Sequence, residues 1–301
     1  MGGFEGGDEG GFWDIDAISS LIDKQNENKS KNANREKPYV ETSDSGYSIK
    51  AHAKVNIFLK ITGDKDGQYT LLSRVLRVEE LYDTISFVVC KCESFTIEGC
   101  DNIPLESNTI YKAYQALNDF TADSDIEDFF CEHKVVVTKR IPSQSGLGGS
   151  SSNAAAFMHL LKEVCNLILS TSELVKIGNT ISSDVPFFIY NYPSANVSGF
   201  GEIVEPFEEE QLNLELYTPD IRCESTLVYK TFKQHLLGNI SLSSFSSWEK
   251  LDSKSIIESI SDPLILNDLY AASLLAYPNL KKEAKEGWFF SGSGPTFFKL
   301  L

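Results

Sequence analysis

Between Pro142 and Asn153 the chain reads Pro-Ser-Gln-Ser-Gly-Leu-Gly-Gly-Ser-Ser-Ser-Asn, a run almost devoid of side chains that could build a core. Before it stands Val135-Val136-Val137, an apolar β-branched triplet that reads as a buried strand. After it, Asn153 to Leu169 places Phe157, Leu160, Leu161 and Val164 on one helical face. Strand, small-residue turn and helix follow one another, so the backbone itself is exposed at the turn. The first amides of such a helix lack intrahelical acceptors and sit at the positive end of its dipole. That is a ready anion site, and the hydroxyls of Ser150, Ser151 and Ser152 add donors. No Gly-Lys-Ser/Thr closes the run, and no Gly-x-Gly-x-x-Gly follows a first strand, which sets aside the Walker loop and the dinucleotide fingerprint. Taken alone, the run is either a phosphate-binding loop or an ordinary capped helix after a flexible turn.

Charge makes a local anion device necessary. The net charge is −16, of which −5 lies in the first 46 residues and −11 in the rest. Such a chain is repelled by phosphate backbones and anionic lipid, and it carries no basic stripe with interleaved aromatics, so a nucleic-acid or membrane-surface role is set aside. No apolar run reaches the roughly 18 residues of a membrane span, and the opening Met1-Gly2-Gly3-Phe4-Glu5 lacks the basic and apolar parts of a secretory signal. The expectation is a cytoplasmic protein with its six cysteines reduced. Cys90-Lys91-Cys92 has no matching His or Cys pair at zinc spacing and the four histidines are scattered, so no metal site is expected.

Three segments follow from composition and pattern. Residues 1–46 hold ten acidic and five basic residues and six glycines in the first eleven positions, and read as a disordered acidic extension. Within it, Trp13, Ile15, Ile18, Leu21 and Ile22 have the spacing of a short amphipathic helix. From Tyr47 the alternation of Ile49–Ile61 and of Val75–Val89 predicts antiparallel strands. Asn108–Leu117 reads as a helix capped by Ser107. In the second half a strand over Leu214–Tyr217 precedes helical stretches over Ser225–Leu237 and Asp268–Ala276, and the chain closes on Trp288-Phe289-Phe290, Gly292 to Gly294 and Thr296-Phe297-Phe298. The boundaries expected are 1–46, 47–192 and 193–301.

Read together, the motifs are more specific than any one of them. Ile141-Pro142, Gly146-Leu147-Gly148-Gly149 and Ser151-Ser152-Asn153-Ala154-Ala155 resemble the phosphate-binding motif of the GHMP kinases. Ala51-His52-Ala53-Lys54-Val55-Asn56-Ile57-Phe58-Leu59, with Thr62-Gly63 and Asp66-Gly67, is similar to the branch that acts on 4-diphosphocytidyl-2-C-methyl-D-erythritol. Ser183-Asp184-Val185-Pro186-Phe187-Phe188 and Ser291-Gly292-Ser293-Gly294 fit the same branch in order and spacing.

The resemblance implies an α+β, two-domain GHMP kinase fold: an N-terminal ATP-binding domain like domain 2 of ribosomal protein S5, then a C-terminal α/β domain. It implies transfer of phosphate from ATP, with Mg2+, to the tertiary 2-hydroxyl of that substrate, in the methylerythritol phosphate route to isoprenoids. The partners implied are these two small molecules, with the chain a monomer or weak homodimer. Asp184 is implied as catalytic base and Lys54 as its electrostatic partner. An alkyl hydroxyl is a poor nucleophile and needs a carboxylate within reach as its proton leaves, and an ammonium stabilises the transferring phosphoryl group. ATP is implied to contact Asn108, Lys139, Pro142, Gly146, Leu147, Gly148, Gly149, Ser150, Ser151, Ser152 and Asn153. The second substrate is implied to contact Asn56, Tyr69, Gly292, Ser293 and Gly294. Asn56, two residues beyond Lys54, shares its strand face.

Three positions depart from the family pattern. Gly67 is followed by Gln68-Tyr69-Thr70 where the family has Gly-Tyr-His for the cytosine; Ser150 replaces a loop glycine; Pro295 removes an amide donor after Gly294. None touches Lys54 or Asp184. The altered Tyr-His element leaves room for another GHMP small-molecule kinase, of homoserine or mevalonate type, and the N-terminal extension for a non-catalytic binding protein on the same fold.

Overall fold

Two long runs of alternating residues dominate the architecture. A computed structural model describes residues 38–43, 46–65, 68–100, 102–121, 124–237 and 247–301. The short strand β1 (Val40–Ser43) pairs antiparallel with β2 (Gly46–Lys65), and β2 pairs antiparallel with β3 (Gln68–Val89). Residues 40–43, expected within a disordered extension, are thus a sheet edge, because Val40 to Ser43 find backbone partners from Ile49 to Gly46. The Trp13–Ile22 segment and Asp66-Gly67 lie outside the described residues.

The 22 residues of β3 are long enough to serve two neighbours. Its far half pairs with β5 (His133–Thr138), which in turn holds β4 (Ile97–Glu98) in parallel. Its near half pairs with β6 (Ser194–Gly199), and β6 with β7 (Ile203–Pro206). The resulting seven-stranded sheet therefore takes in residues 194–206, beyond the expected boundary at residue 192.

One face of this sheet is covered by α1 (Thr109–Thr121), α2 (Ser124–Glu132), α3 (Gly149–Val164), α4 (Thr171–Ile181) and α5 (Val185–Tyr190). The core between them joins Ile49, Ile85, Phe87 and Val135 of the sheet to Phe157, Leu160 and Leu161 of α3. Burial of these aliphatic and aromatic groups contributes on the order of 2 kcal/mol each before entropy is counted. His159 sits in this core with Nε2 on the carbonyl of Ile189 at 3.0 Å. Helix α1 is capped by Asn108 rather than Ser107: Asn108 Oδ1 accepts from the amide of Ile110 at 2.9 Å, while Ser107 lies in a preceding single turn.

A second, three-stranded antiparallel sheet has the order β8 (Leu214–Tyr217), β10 (Phe297–Leu300), β9 (Phe289–Phe290). With it come α6 (Ser225–His235), α7 (Ser253–Ser259), α8 (Pro263–Leu266) and α9 (Asp268–Ala276). The first sheet is clasped to this half by Arg74 of β3, which is fully buried. Its guanidinium faces Glu209 at 3.4 Å, donates to the carbonyl of Glu249 at 3.1 Å and to Asn196 Oδ1 at 2.8 Å, and lies over the ring of Phe207. Burial lowers the pKa of Arg74, opposed by the charge of Glu209.

The expectation of six reduced cysteines needs correction. Cys90 and Cys92 follow the end of β3 two residues apart, which turns both side chains to one side, and the structure joins them in a disulfide with a Cα–Cα distance of 5.8 Å. Cys100, Cys131, Cys165 and Cys223 take no part in that disulfide. Among the described residues no helix is long and apolar enough to cross a membrane.

Candidate active site

A cleft of about 530 Å³ opens where β2, the turn before α3, the start of α5 and the β9–β10 turn converge. Strand β2 supplies Lys54 and Asn56 from its middle. The loop is fastened directly beside them, since the amide of Lys54 donates to the carbonyl of Leu147 at 3.0 Å. Gly148 has φ 71°, and a side chain there would run into the ring of Phe188 at 2.8 Å and Cγ of Lys54 at 3.0 Å. Only glycine lets the loop close over the lysine stem in this left-handed conformation.

Helix α3 begins at Gly149, earlier than the apolar spacing predicts, so Gly149, Ser150 and Ser151 form its first turn and line the cleft. Ser150 has an ordinary helical backbone; the left-handed conformations fall on Gln144, Gly146 and Gly148. Replacement of a glycine by Ser150 is therefore free of backbone strain. Two polar atoms near this turn, Ser145 Oγ and Asn153 Oδ1, are buried with no hydrogen-bond partner.

Across the cleft, Asp184 stands at the N-terminal boundary of α5, ahead of Pro186. Its carboxylate makes no capping bond there. Instead Oδ2 lies 3.5 Å from Nζ of Lys54. The lysine side chain is 6% exposed and the aspartate 47%, so the ammonium is held inside while the carboxylate opens to the cleft. Lys54 also donates to Asn56 Oδ1 at 2.5 Å.

The β9–β10 turn closes the third side. The backbone N–H of Asn56 donates to Ser291 Oγ at 3.1 Å, and a side chain on Gly292 would meet Asn56 Oδ1 at 3.2 Å and Lys54 Nζ at 3.4 Å. Gly292 and Ser293 line the cleft. Asn267, buried just before α9, holds the turn by donating to the carbonyls of Phe290 and Gly292 at 2.9 and 2.8 Å.

Lys139, Pro142 and Gly146 also line the cleft. The ammonium of Lys139 pairs with the fully buried carboxylate of Asp83, which accepts as well from the amides of Arg140 and Ile141 at 2.7 and 2.8 Å. Arg140 turns away, its guanidinium 4.9 Å from the ring of Tyr82.

Six expected contact residues do not line the cleft. Leu147 is fully buried behind it, and Ser152 Oγ donates to the carbonyl of His52 at 2.7 Å. Asn153 is buried within α3, Asn108 caps α1, and the amide of Gly294 closes its own turn onto Ser291. Tyr69 is packed away by aromatic contacts, with Tyr229 at 5.9 Å and Phe232 at 5.7 Å between centroids.

Sequence reasoning missed Tyr229 of α6, Ser73 of β3 and Asn267. Tyr229 lines the cleft, and burial, followed by the charge of Asp184, pushes its phenol well above the usual range, so it stays protonated. Cys223 also faces the cleft, its thiol pushed up to about 12 by burial and therefore unreactive at neutral pH. The one available signal was in β3, where Ser73-Arg74 breaks an otherwise apolar run from Leu71 to Leu76.

Comparisons with known proteins bear on this cleft. Residues 108–192 match the model described as the GHMP kinases N terminal domain. The chain is 58% identical over 254 residues to a 4-diphosphocytidyl-2-C-methyl-D-erythritol kinase of Sulfurovum sp., covering 84% of this chain and 99% of the relative. It is 42% identical to the enzyme of that name from Sulfurimonas denitrificans, over 83% of this chain and 96% of the relative. A crystal structure of 4-(cytidine 5'-diphospho)-2C-methyl-D-erythritol kinase shares the fold, with TM-score 0.64, 22% identity and coverage of 84% and 89%. Methanococcus jannaschii mevalonate kinase does so more distantly, with TM-score 0.53, 13% identity and coverage of 86% and 92%.

Proposed function

The chain belongs to the 4-diphosphocytidyl-2-C-methyl-D-erythritol kinase branch of the GHMP kinases, and from that premise we propose that its cleft transfers the γ-phosphoryl group of ATP to the 2-hydroxyl of 4-diphosphocytidyl-2-C-methyl-D-erythritol. The observation that carries the reading is the Lys54–Asp184 pair, 3.5 Å apart and facing the first turn of α3. A carboxylate, an ammonium and unpaired helix amides are what phosphoryl transfer asks of a protein, since positioning and charge stabilisation dominate its catalysis.

In the step proposed, the substrate hydroxyl gives its proton to Asp184 as its oxygen attacks the γ-phosphorus. The bond from that phosphorus to the bridging oxygen breaks, and ADP leaves with the electron pair. Lys54 offsets the negative charge that gathers on the transferring group. Amides of Gly149, Ser150 and Ser151 hold the triphosphate at the positive end of α3, and the unpartnered hydroxyl of Ser145 offers it a further donor. Lys139, held by its pair with Asp83, stands at the edge of the cleft. The second substrate lies toward Asn56, Gly292 and Ser293, with the ring of Tyr229 beside it.

Magnesium bound with the triphosphate would offset part of its negative charge. Among the described residues no group of three or more His, Cys, Asp or Glu gathers to hold a metal ion. The donor set suits an ion held chiefly by phosphate oxygens and water, with the hydroxyls of Ser150 and Ser151 at hand. The functional unit is then a cytoplasmic two-domain body acting on two small phosphorylated molecules, with the division between domains after β7 rather than at residue 192.

A coupled assay for ADP release tests the reading. Turnover with ATP and 4-diphosphocytidyl-2-C-methyl-D-erythritol, and none with homoserine, mevalonate or phosphomevalonate, is the expected pattern. Turnover of one of the latter three alone would replace it.

A further inference from the structure

Ser73 lies on β3, is 1% exposed, and stands across from Leu59 in the β2–β3 ladder. It reaches the cleft at the irregular register of β2 between Asn56 and Phe58, where the two strands shift past one another. Its hydroxyl donates to the carbonyl of Phe58 at 2.6 Å and accepts from Asn56 Nδ2 at 2.8 Å. Asn56 Oδ1 in turn accepts from Lys54 Nζ at 2.5 Å.

The direction of every bond in this chain is forced from both ends. An ammonium only donates, so the oxygen end of the Asn56 amide must face Lys54. The nitrogen end then points at Ser73 and needs an acceptor. A backbone carbonyl only accepts, so the Ser73 proton goes to Phe58, leaving its oxygen lone pair for Asn56. With the hydroxyl removed, Asn56 Nδ2 loses its acceptor and nothing on the sheet side anchors the amide against rotation. An amide free to rotate no longer holds Oδ1 in one place for the lysine ammonium, the very group paired with Asp184.

We propose that Ser73 is a positioning residue for the phosphoryl-transfer site: through the Asn56 amide it fixes where the Lys54 ammonium stands relative to Asp184. Ser73 acts at one remove, and the inference rests on the kinase reading of the cleft. Its role differs from simple packing, because the effect must pass through Asn56 and vanish when Asn56 is gone.

The test is a double-mutant cycle of Ser73→Ala and Asn56→Ala, with thermal melting to establish that each variant folds. Ser73→Ala is expected to lower kcat about tenfold with KM for ATP unchanged, the scale of a modest misplacement of a catalytic group. In the Asn56→Ala background the same change is expected to alter kcat by less than about twofold. An unchanged kcat in Ser73→Ala, or losses that multiply in the double variant, would overturn the proposal. A second readout is independent of turnover: the side-chain amide resonances of Asn56, identified by their loss in Asn56→Ala, should be exchange-protected in the parent protein and lose protection in Ser73→Ala. If the parent turns over no 4-diphosphocytidyl-2-C-methyl-D-erythritol while this protection is lost as expected, the kinase reading fails and the positioning of Asn56 by Ser73 stands. If the amide is equally protected in both proteins, the positioning fails whatever the activity.

Discussion

The ammonium of Lys54 stands 3.5 Å from the carboxylate of Asp184, one held inside a long strand and the other open to the cleft at the start of a helix. Asp184 occupies a capping position yet makes no capping bond. Its side chain is therefore available to a substrate, and the helix does not depend on it.

Separating chemistry from stability at this residue follows. Asp184→Asn should lower kcat by about 10²–10⁴, the usual contribution of a positioned general base. Because no cap is lost, the melting temperature should stay close to that of the parent. Steady-state kinetics beside a thermal melt checks both halves, and a variant with parental turnover would remove Asp184 from the mechanism.

Gly148→Ala combines a backbone and a steric penalty. The left-handed φ of 71° alone costs an alanine roughly 1–2 kcal/mol. Its methyl would also press on Phe188 and the Lys54 stem. A lower denaturant midpoint together with a weaker affinity for ATP is expected, read by urea unfolding and nucleotide titration.

Truncating Arg74 leaves the carboxylate of Glu209 buried without its counter-charge, held only by hydrogen bonds from Ser194 and Ser253. Arg74→Ala should destabilise by about 3–5 kcal/mol, the typical result of breaking a buried pair from one side. The double variant Arg74→Met/Glu209→Leu should recover much of that loss. Chemical denaturation of the three proteins decides the matter.

His52 supplies a pH dependence of known sign. Burial lowers its pKa from 6.5, against the opposing charge of Glu79. The unfolded chain then binds a proton more readily than the folded one between the lowered value and 6.5. Stability from this group is present above pH 6.5 and declines as the pH falls through that window. His52→Gln should flatten this part of a stability–pH profile without changing its neutral end.

Part of the candidate cleft's lining was legible before any fold was known, for reasons that can be named. Lys54 and Asn56 share a strand face by the period of two, and their bond confirms that face. Helix α9 begins at Asp268 and ends at Ala276 as its pattern predicts, with Asn267 capping it from just before. Tyr69 does not line the cleft, and its neighbours were invisible in the sequence: Tyr229 and Phe232 come from a helix far along the chain and pack against its ring. The start of α3 was also misjudged. The serines of its first turn carry no apolar signal, yet Ser150 and Ser151 line the cleft.

What the sequence by itself determined is the set of local devices: the glycine–serine turn that only small residues allow, the alternation of the long strands, and the types of group that phosphoryl transfer requires. The tertiary structure alone decided which of these meet. Lys54, Asp184, Ser73 and Gly292 lie on four separate elements, and each adjacency depends on strand register and helix packing summed over the whole core. The orientation of the Asn56 amide shows the physical reason. It follows from an ammonium on one side and a hydroxyl bound to a carbonyl on the other, brought together only once β2 and β3 have paired.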